Sequence, residues 1–248
     1  MLVLRSLVFQ FLFFFLTTVI CVTAVPGVFL TRRFATRVAS FWAWCMLWVL
    51  KVTVDLDFEV RGREHLPDGP MILASKHQSA WDTIVFAVAL HDPVYVLKKD
   101  LLHIPVYGWY LHKLDMIAID RDAGISSMKN MIRHARRVLD EGRRYIIIFP
   151  EGSRVAPGER DPYQPGVAGL YGMLGVPVVP VALNSGLFWG RRKLLKYPGI
   201  ITLEFLPAIA PGMAREAFMA ELEERIETAS DRLIAEAQAH FGVPGGGS

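Results

Sequence analysis

The sequence predicts an α/β protein with a mostly parallel central sheet flanked by helices and an N-terminal hydrophobic helical membrane anchor. Apolar residues concentrate in the first 50 positions, and short β-rich segments alternate with helical patterns from about Val52 onward. One of these segments, Tyr145–Phe149, is almost entirely apolar. Alternating strands and helices are typical of a sheet with a parallel core, and a continuous apolar strand is typical of one that is covered on both faces.

The anchor is predicted from two apolar segments. Residues 6–31 contain no charged side chain, and about 20 apolar residues suffice to span a bilayer. Pro26 and Gly27 break this segment near its end, and the second segment, residues 38–50, holds three tryptophans. Because tryptophan favours the headgroup boundary, we expect the first helix to insert and the second to lie in the interface. Full crossing and a one-leaflet hairpin both remain open.

Basic residues predict the orientation of the anchor. Only Arg5 precedes the first apolar segment, whereas three arginines follow it. The positive-inside rule then predicts that the rest of the chain lies at the cytoplasmic face of the cell membrane. The alternative is a signal peptide cleaved after Ala24. The length of the apolar stretch and the second segment directly after it favour the anchor.

The predicted organisation has three parts. Residues 1–51 form the membrane-anchoring helices, residues 52–241 form the α/β domain, and residues 242–248 form a flexible glycine-rich tail. The predicted strands are Asp55–Val60, Met71–Ala74, Val94–Leu97, Met116–Ile119, Tyr145–Phe149, Val178–Ala182 and Ile200–Phe205. The predicted helices of the domain are Trp81–Leu90, Ile125–Glu141 and Arg215–Ala239.

Composition excludes several classes of function. The formal net charge of +3 suits an anionic lipid surface or a phosphate-bearing substrate. No basic stripe interleaved with aromatic residues is present, so nucleic acid is not an expected partner. The two cysteines, Cys21 and Cys45, lie in apolar segments, and no Cys/His cluster has metal-ligand spacing. We therefore expect no disulfide framework and no metal.

The first candidate catalytic motif follows the strand Met71–Ala74. His77 and Asp82 lie five residues apart, a spacing that does not put them on one face of a continuous helix. If His77 lies in the turn and Asp82 in the first turn of the helix, the two side chains converge. Asp82 would then accept a hydrogen bond from one ring nitrogen and leave the other nitrogen as a base.

Two further motifs also follow predicted strands. Glu151, Gly152, Ser153 and Arg154 follow Tyr145–Phe149, and Arg121 follows Met116–Ile119. A guanidinium group suits bidentate phosphate binding. Because the carboxyl ends of parallel strands meet at one edge of a sheet, we expect these side chains to share a crevice with His77. A fourth segment, Val176–Val181, is predicted to be a strand broken by Pro180 that shapes one wall.

The order and spacing of these blocks resemble the glycerolipid acyltransferase family, in particular its bacterial lysophosphatidate (1-acyl-sn-glycerol-3-phosphate) acyltransferases of the PlsC type. The resemblance covers about Asp57 to Pro207. Its usual first motif is Asn-His-x4-Asp and its usual third is Phe-Pro-Glu-Gly-Thr-Arg. The present sequence departs from them at Lys76, in place of Asn, and at Ser153, in place of Thr.

The resemblance implies transfer of a fatty acyl group from an acyl thioester to the sn-2 hydroxyl of lysophosphatidate, giving phosphatidate. It implies catalytic roles for His77 and Asp82. Substrate-binding roles are implied for Arg121, Glu151, Gly152, Ser153 and Arg154. No cofactor is expected, and the donor is acyl-CoA or acyl carrier protein as a co-substrate. Tyr107, Trp109 and Tyr110 are candidates to line an acyl tunnel or to lie in the core.

Three alternatives remain open. The same chemistry on lyso-ornithine lipid or another lysophospholipid would fit the motifs, although the two arginines favour an acceptor with a phosphate. A non-catalytic membrane-binding protein need not keep both His77 and Asp82. A lipid hydrolase is expected to show a G-x-S-x-G nucleophile elbow, which the sequence lacks.

Overall fold

The computed structural model describes residues 1–120 and 124–243. It confirms the predicted α/β fold and all seven predicted strands. The strands are β1 (Leu56–Arg61), β2 (Met71–Ser75), β3 (Val94–Lys98), β4 (Ile117–Ile119), β5 (Tyr145–Ile148), β6 (Val178–Leu183) and β7 (Gly199–Phe205). The helices are α1 (Leu2–Thr23), α2 (Arg32–Val54), α3 (Trp81–Ala89), α4 (Tyr107–Lys113), α5 (Gly124–Asp140), α6 (Pro165–Leu174), α7 (Ser185–Phe188) and α8 (Arg215–Phe241).

The strands form one sheet in the order β1-β7-β6-β2-β5-β3-β4. Strands β6, β2, β5, β3 and β4 run parallel to one another. Strand β7 is antiparallel to β6 and carries β1 parallel to itself at the edge. The sheet is therefore mostly parallel, and the carboxyl ends of its five parallel strands lie at one edge.

Alternate residues of the central strands face two separate apolar cores. In β2, Leu73 belongs to one core, and Ile72 and Ala74 belong to the other. The first core is covered by α2 and α3, and the second by α5, α6 and the first half of α8. A strand that is buried on both faces has to be apolar at every position, which explains the continuous apolar sequence of β2 and β5.

The N-terminal helices pack on each other and on the domain. The Trp42 indole donates a hydrogen bond to Thr17 Oγ1 at 3.0 Å, which joins α2 to α1. Phe9 of α1 is buried against Trp189. Helices α1 and α2 are both long and apolar enough to cross a membrane, which supports membrane association. Helix α2 extends beyond the predicted segment 38–50 and past position 51, and the three-part division stays a prediction.

The predicted break at Pro180 is wrong, because β6 runs through that residue without interruption. On the β7 side of the strand, pairing changes at this point. Val178 pairs with Ile209, and pairing with β7 resumes at Val181. The missing N–H of proline therefore falls at an irregularity of the ladder, where the Pro180 carbonyl still accepts the N–H of Leu206, as is usual for a proline within a sheet.

Candidate active site

Three strand ends supply the polar side chains of the site. His77 follows β2, Glu151 follows β5, and Ser185 follows β6. Strands β5 and β6 are the two parallel neighbours of β2. The three side chains therefore lie at the same edge of the sheet, which is where open α/β sheets place their ligand sites.

His77 and Asp82 form a hydrogen-bonded pair. The distance from His77 Nδ1 to Asp82 Oδ2 is 2.9 Å. His77 lies in the turn after β2, and Asp82 lies in the first turn of α3. The structure thus brings the two side chains together in the way that the sequence predicts. A carboxylate on Nδ1 favours the tautomer with its proton on that nitrogen and leaves Nε2 as the basic atom.

The Asp82 carboxylate is completely buried and satisfied by neutral donors. Its Oδ2 also accepts the backbone N–H groups of Gln78 at 2.6 Å and Ser79 at 2.8 Å. Its Oδ1 accepts the Ser185 hydroxyl at 2.5 Å. Its position at the start of α3 adds the favourable end of the helix dipole. These contacts fix the aspartate while its charge stays available to His77.

Ser185 is a site residue that the sequence motifs do not predict. This residue lies 103 positions after Asp82, and no motif contains it. A serine directly after an apolar strand is a weak signal, because it is also the ordinary residue for capping a helix. Only the pairing of β6 with β2 shows that its hydroxyl reaches the site.

The His77 ring lies on Phe149 and faces a cavity. The two ring centroids are 4.0 Å apart, with an interplanar angle of 22°. Among the residues that the structure describes, none forms a hydrogen bond with Nε2. Because His77 lines the cavity, its ring is open to a ligand there.

The cavity has a volume of about 680 Å³ and runs from His77 to the N-terminal helices. Its lining is mainly apolar and includes Ile20 of α1, Trp42 of α2 and Met131 of α5. Such a volume is typical of small-molecule sites. Of the three aromatic candidates, Tyr107 and Tyr110 line the cavity, whereas Trp109 lies on the surface, 50% exposed.

Glu151 is buried and fully occupied by protein contacts. Its Oε2 accepts the backbone N–H of His77 at 2.9 Å, and its Oε1 accepts the Lys76 ammonium at 2.6 Å. Burial raises the pKa of Glu151 to about 7, although Lys76 and the His77 amide oppose this rise. Gly152 has a φ of 69°, a conformation that glycine adopts without strain. This turn directs Glu151 inward.

Arg154 is half-buried beside the site. Burial lowers its pKa, the neighbouring Arg191 and Arg192 lower it further, and Asp82 opposes this fall. An arginine stays charged even so, so this corner is electropositive. Ser153 lies half-buried on the same turn. Arg121, the second predicted phosphate ligand, lies outside the described residues.

The basic residues near the site differ in their exposure. Lys196 is buried, and its ammonium donates to Gln10 Oε1 at 3.0 Å. It therefore joins α1 to the domain and does not form part of an exposed basic face. Lys98 and Lys99 are exposed and pair with Asp100 and Asp120. Arg191 and Arg192 are exposed.

Comparison with known proteins identifies the class. The model of the Acyltransferase family matches residues 57–184, which is more than half of the chain and contains His77, Asp82 and Arg154. The chain belongs to this family.

Two relatives with the same name are similar to this chain. The 1-acyl-sn-glycerol-3-phosphate acyltransferase of Pseudomonas aeruginosa is 36% identical over 196 residues, which are 78% of this chain and 76% of that protein. The protein of the same name from Helicobacter pylori is 30% identical over 165 residues, 64% of this chain and 68% of that one.

The fold also resembles that of a solved structure. It is the crystal structure of the 1-acyl-sn-glycerophosphate (LPA) acyltransferase PlsC from Thermotoga maritima, with a TM-score of 0.77. The match covers 95% of this chain and 98% of that one at 21% identity. It includes the N-terminal helices as well as the α/β domain, since it covers almost the whole chain.

Proposed function

We propose that this protein transfers a fatty acyl group from an acyl thioester to the sn-2 hydroxyl of lysophosphatidate, giving phosphatidate. The observation that carries the proposal is the hydrogen bond between His77 Nδ1 and Asp82 at the mouth of an apolar cavity that continues to the anchor helices. The names of the Pseudomonas aeruginosa and Helicobacter pylori relatives support the same reaction.

His77 is the general base of this mechanism. Its Nε2 takes the proton of the acceptor hydroxyl as that oxygen attacks the thioester carbonyl. The tetrahedral intermediate then collapses, the carbon–sulfur bond breaks, and the imidazolium returns the proton to the leaving thiolate. An ester and a free thiol are the products, and no acyl-enzyme is needed because the hydroxyl is itself the nucleophile.

Asp82 has two functions in this step. It keeps the proton of neutral His77 on Nδ1, so that Nε2 is free to accept. Its negative charge stabilises the imidazolium that forms in the transition state. The neutral donors around Asp82 support this assignment, because none of them cancels the charge that His77 needs.

The acceptor phosphate binds at Arg154 and Arg121 in this proposal. The half-buried position of Arg154 supports it, because a charge-assisted hydrogen bond is stronger where water is partly excluded. The backbone of Gly152 and the backbone and hydroxyl of Ser153 complete this end of the site. Glu151 contributes by holding the backbone of His77, because its two oxygens already accept hydrogen bonds from Lys76 and from the His77 N–H.

The apolar cavity receives an acyl chain. Its walls come from both the domain and the anchor helices, so a chain enters from the hydrocarbon region without crossing water. We place the site at the cytoplasmic face of the membrane, where acyl-CoA and acyl carrier protein are available. The exposed Arg191 and Arg192 beside Arg154 suit either anionic donor.

The second candidate is the same transfer to another lysolipid, such as lyso-ornithine lipid. The arginine cluster around Arg154 argues against an acceptor without phosphate. Purified protein in detergent is therefore offered lysophosphatidate or lyso-ornithine lipid, each with acyl-CoA and with acyl carrier protein. We expect phosphatidate as the main product, and free fatty acid without acceptor dependence would instead indicate a hydrolase.

The phosphate site has its own test. Arg154→Gln is expected to raise KM for lysophosphatidate at least about tenfold, since a charge-assisted bond is lost. Arg215→Gln, an exposed arginine at the start of α8, is the control and should keep the native KM. A preference for lyso-ornithine lipid, or an unchanged KM in Arg154→Gln, would contradict the proposed acceptor.

A further inference from the structure

A buried ion cluster lies directly behind the His77 turn. The Lys76 ammonium donates to Glu151 Oε1 at 2.6 Å and to both carboxylate oxygens of Glu227 at 2.9 Å. Lys76 is 1% exposed, and Glu151 and Glu227 are each 3% exposed. Long charged side chains are almost never buried to this degree unless they are paired. The cluster is therefore a specific set of paired charges in the protein interior.

The cluster is fully hydrogen-bonded and close to charge balance. The carbonyl of Glu159, at 3.4 Å, is a fourth acceptor around the ammonium, so its three N–H donors are shared among four acceptors. Tyr163 donates its hydroxyl to Glu227 Oε1 at 2.9 Å. Two carboxylates face one ammonium, and Arg160 lies 3.9 Å from Glu227 Oε2 at the solvent side. Removing the ammonium would leave two carboxylates without an adequate cation, which is costly in a buried setting.

The cluster reaches the catalytic residue through Glu151. The oxygen of Glu151 that does not bind Lys76 accepts the backbone N–H of His77 at 2.9 Å. The carbonyl of His77 in turn accepts the N–H of Val155 at 2.8 Å. Glu151 and Val155 both belong to the turn after β5. The backbone of His77 is thus held on both sides by that turn, and the orientation of the turn depends on where Glu151 points.

Glu227 brings a distant element into this arrangement. It lies on α8, 151 positions after Lys76 and outside the residues that match the family model. The long side chain of Lys76 spans the gap between the β2 turn and this helix. The lysine also lies one residue before His77, so any displacement of its backbone moves the catalytic ring.

We propose that Lys76 and Glu227 are a positioning pair for the transfer reaction: together they fix the Glu151 carboxylate, which holds His77 in its catalytic position. This inference rests on the proposed function and assigns to α8 a part in that site. Neither residue touches the substrate, and both act through Glu151.

The test is a double-substitution cycle on the full-length protein. Lys76→Met leaves Glu151 and Glu227 without the ammonium, and we expect kcat to fall about 100-fold, the scale of a misplaced catalytic group. Glu227→Gln keeps the Lys76–Glu151 contact and should lower kcat about tenfold, the scale of one weakened charged hydrogen bond. KM for the lysolipid should stay within about twofold in both, because the phosphate contacts are untouched.

The double variant distinguishes a coupled pair from two independent residues. Once Lys76 is gone, neutralising Glu227 removes repulsion, so the double variant should be no slower than Lys76→Met alone. Independent effects would multiply to about 1,000-fold. Glu224→Gln removes an exposed carboxylate from the same helix and should keep the native kcat.

A second readout follows His77 without substrate. The chain has seven histidines, so protein labelled with ¹⁵N-histidine gives a simple amide spectrum, in which His77→Gln identifies the His77 signal. We expect that signal to move upfield in Glu227→Gln and Lys76→Met as its bond to Glu151 weakens. A purely structural pair would lower Tm and leave both the signal and kcat of the folded protein native.

The outcomes separate the two proposals. A native protein that acylates no lysolipid would overturn the proposed function, whatever the variants do. Native kcat and an unmoved His77 signal in Glu227→Gln would overturn the positioning pair, and this isosteric variant suffices even if Lys76→Met does not fold. A multiplicative loss in the double variant would also overturn it.

Discussion

The two carboxylates that hold His77 lie on opposite sides of its turn and differ in how their charge is compensated. Asp82 is bound by two backbone amides, a serine hydroxyl and the His77 ring, all of which are neutral donors at the start of the reaction. Glu151 is bound by one backbone amide and by the Lys76 ammonium. Both side chains are buried.

Because of this difference, Asp82 contributes mainly through its charge, and Glu151 contributes mainly by positioning the backbone of His77. Among the described residues, no cation contacts Asp82 directly. In the proposed mechanism its charge therefore acts mainly on the transition state, when His77 takes up a proton. The charge of Glu151 is already shared with Lys76 in the resting protein, so its contribution is to hold the backbone. Substitutions at the two sites should therefore lower kcat to different extents.

Among the carboxylate and serine substitutions, Asp82→Asn should have the largest effect on kcat. The amide keeps the size of the side chain but favours the wrong tautomer of His77 and offers no charge to the imidazolium. We expect kcat for phosphatidate formation to fall about 10³-fold or more, with KM for lysophosphatidate little changed. A fall in kcat smaller than that of Glu151→Gln would show that Asp82 acts by position alone.

Glu151→Gln is expected to have the next largest effect. The glutamine oxygen still accepts the His77 amide, but the charged bond to Lys76 is lost. A loss of about 10- to 100-fold in kcat is expected, as for removal of a hydrogen bond to a charged group. The matched control is Glu159→Gln, because Glu159 reaches Lys76 through its backbone carbonyl and its exposed side chain should not matter.

Ser185→Ala should have a smaller effect on the Asp82 side. The variant removes the hydroxyl that binds Asp82 Oδ1 and leaves the other donors in place. We expect kcat to fall about tenfold, which is the low end for a hydrogen bond to a charged group. Ser185→Thr keeps a hydroxyl and should recover part of the activity if the site admits the extra methyl group. Full activity in Ser185→Ala would show that the Ser185 hydroxyl does not support Asp82.

The pH dependence of stability gives the finest comparison. Burial raises the pKa of Glu151 from its ordinary value of 4.5 to about 7, so the folded state holds its proton more tightly than the unfolded state. The contribution of protonated Glu151 to folding stability is complete below about pH 4.5 and is lost as the pH rises through about 7. Between about pH 4.5 and 7, the unfolding free energy of Glu151→Gln should rise relative to that of the native protein, by at most about 1.4 kcal/mol per pH unit. The opposite slope in chemical denaturation would mean that Lys76 outweighs burial.

Local pattern was sufficient to predict much of this structure. Each strand is a short apolar or β-branched segment ending in polar residues, and each was located to within one or two residues. The His77–Asp82 contact followed from a five-residue spacing across a strand-to-helix turn, which is a local constraint. Helix α6 was missed because its glycines and the loop before it give no clear helical period.

Long-range partners were not predictable in the same way. Lys76 stood out as a departure from the usual motif, but its partner Glu227 lies on α8 in a helix whose other acidic residues are mostly solvated. Ser185 reaches Asp82 only because β6 pairs with β2. Nothing in the local sequence encodes the order of strands or the antiparallel pairing of β7, which depend on how the complete sheet packs.

The most direct test of the His–Asp mechanism compares native protein with His77→Ala in one assay. Both are purified in detergent, checked for equal Tm, and given radiolabelled lysophosphatidate with an acyl thioester. We expect phosphatidate from the native protein and a rate lower by about 10²- to 10⁴-fold in the variant, the range for loss of a general base. Equal rates in the two proteins would contradict it.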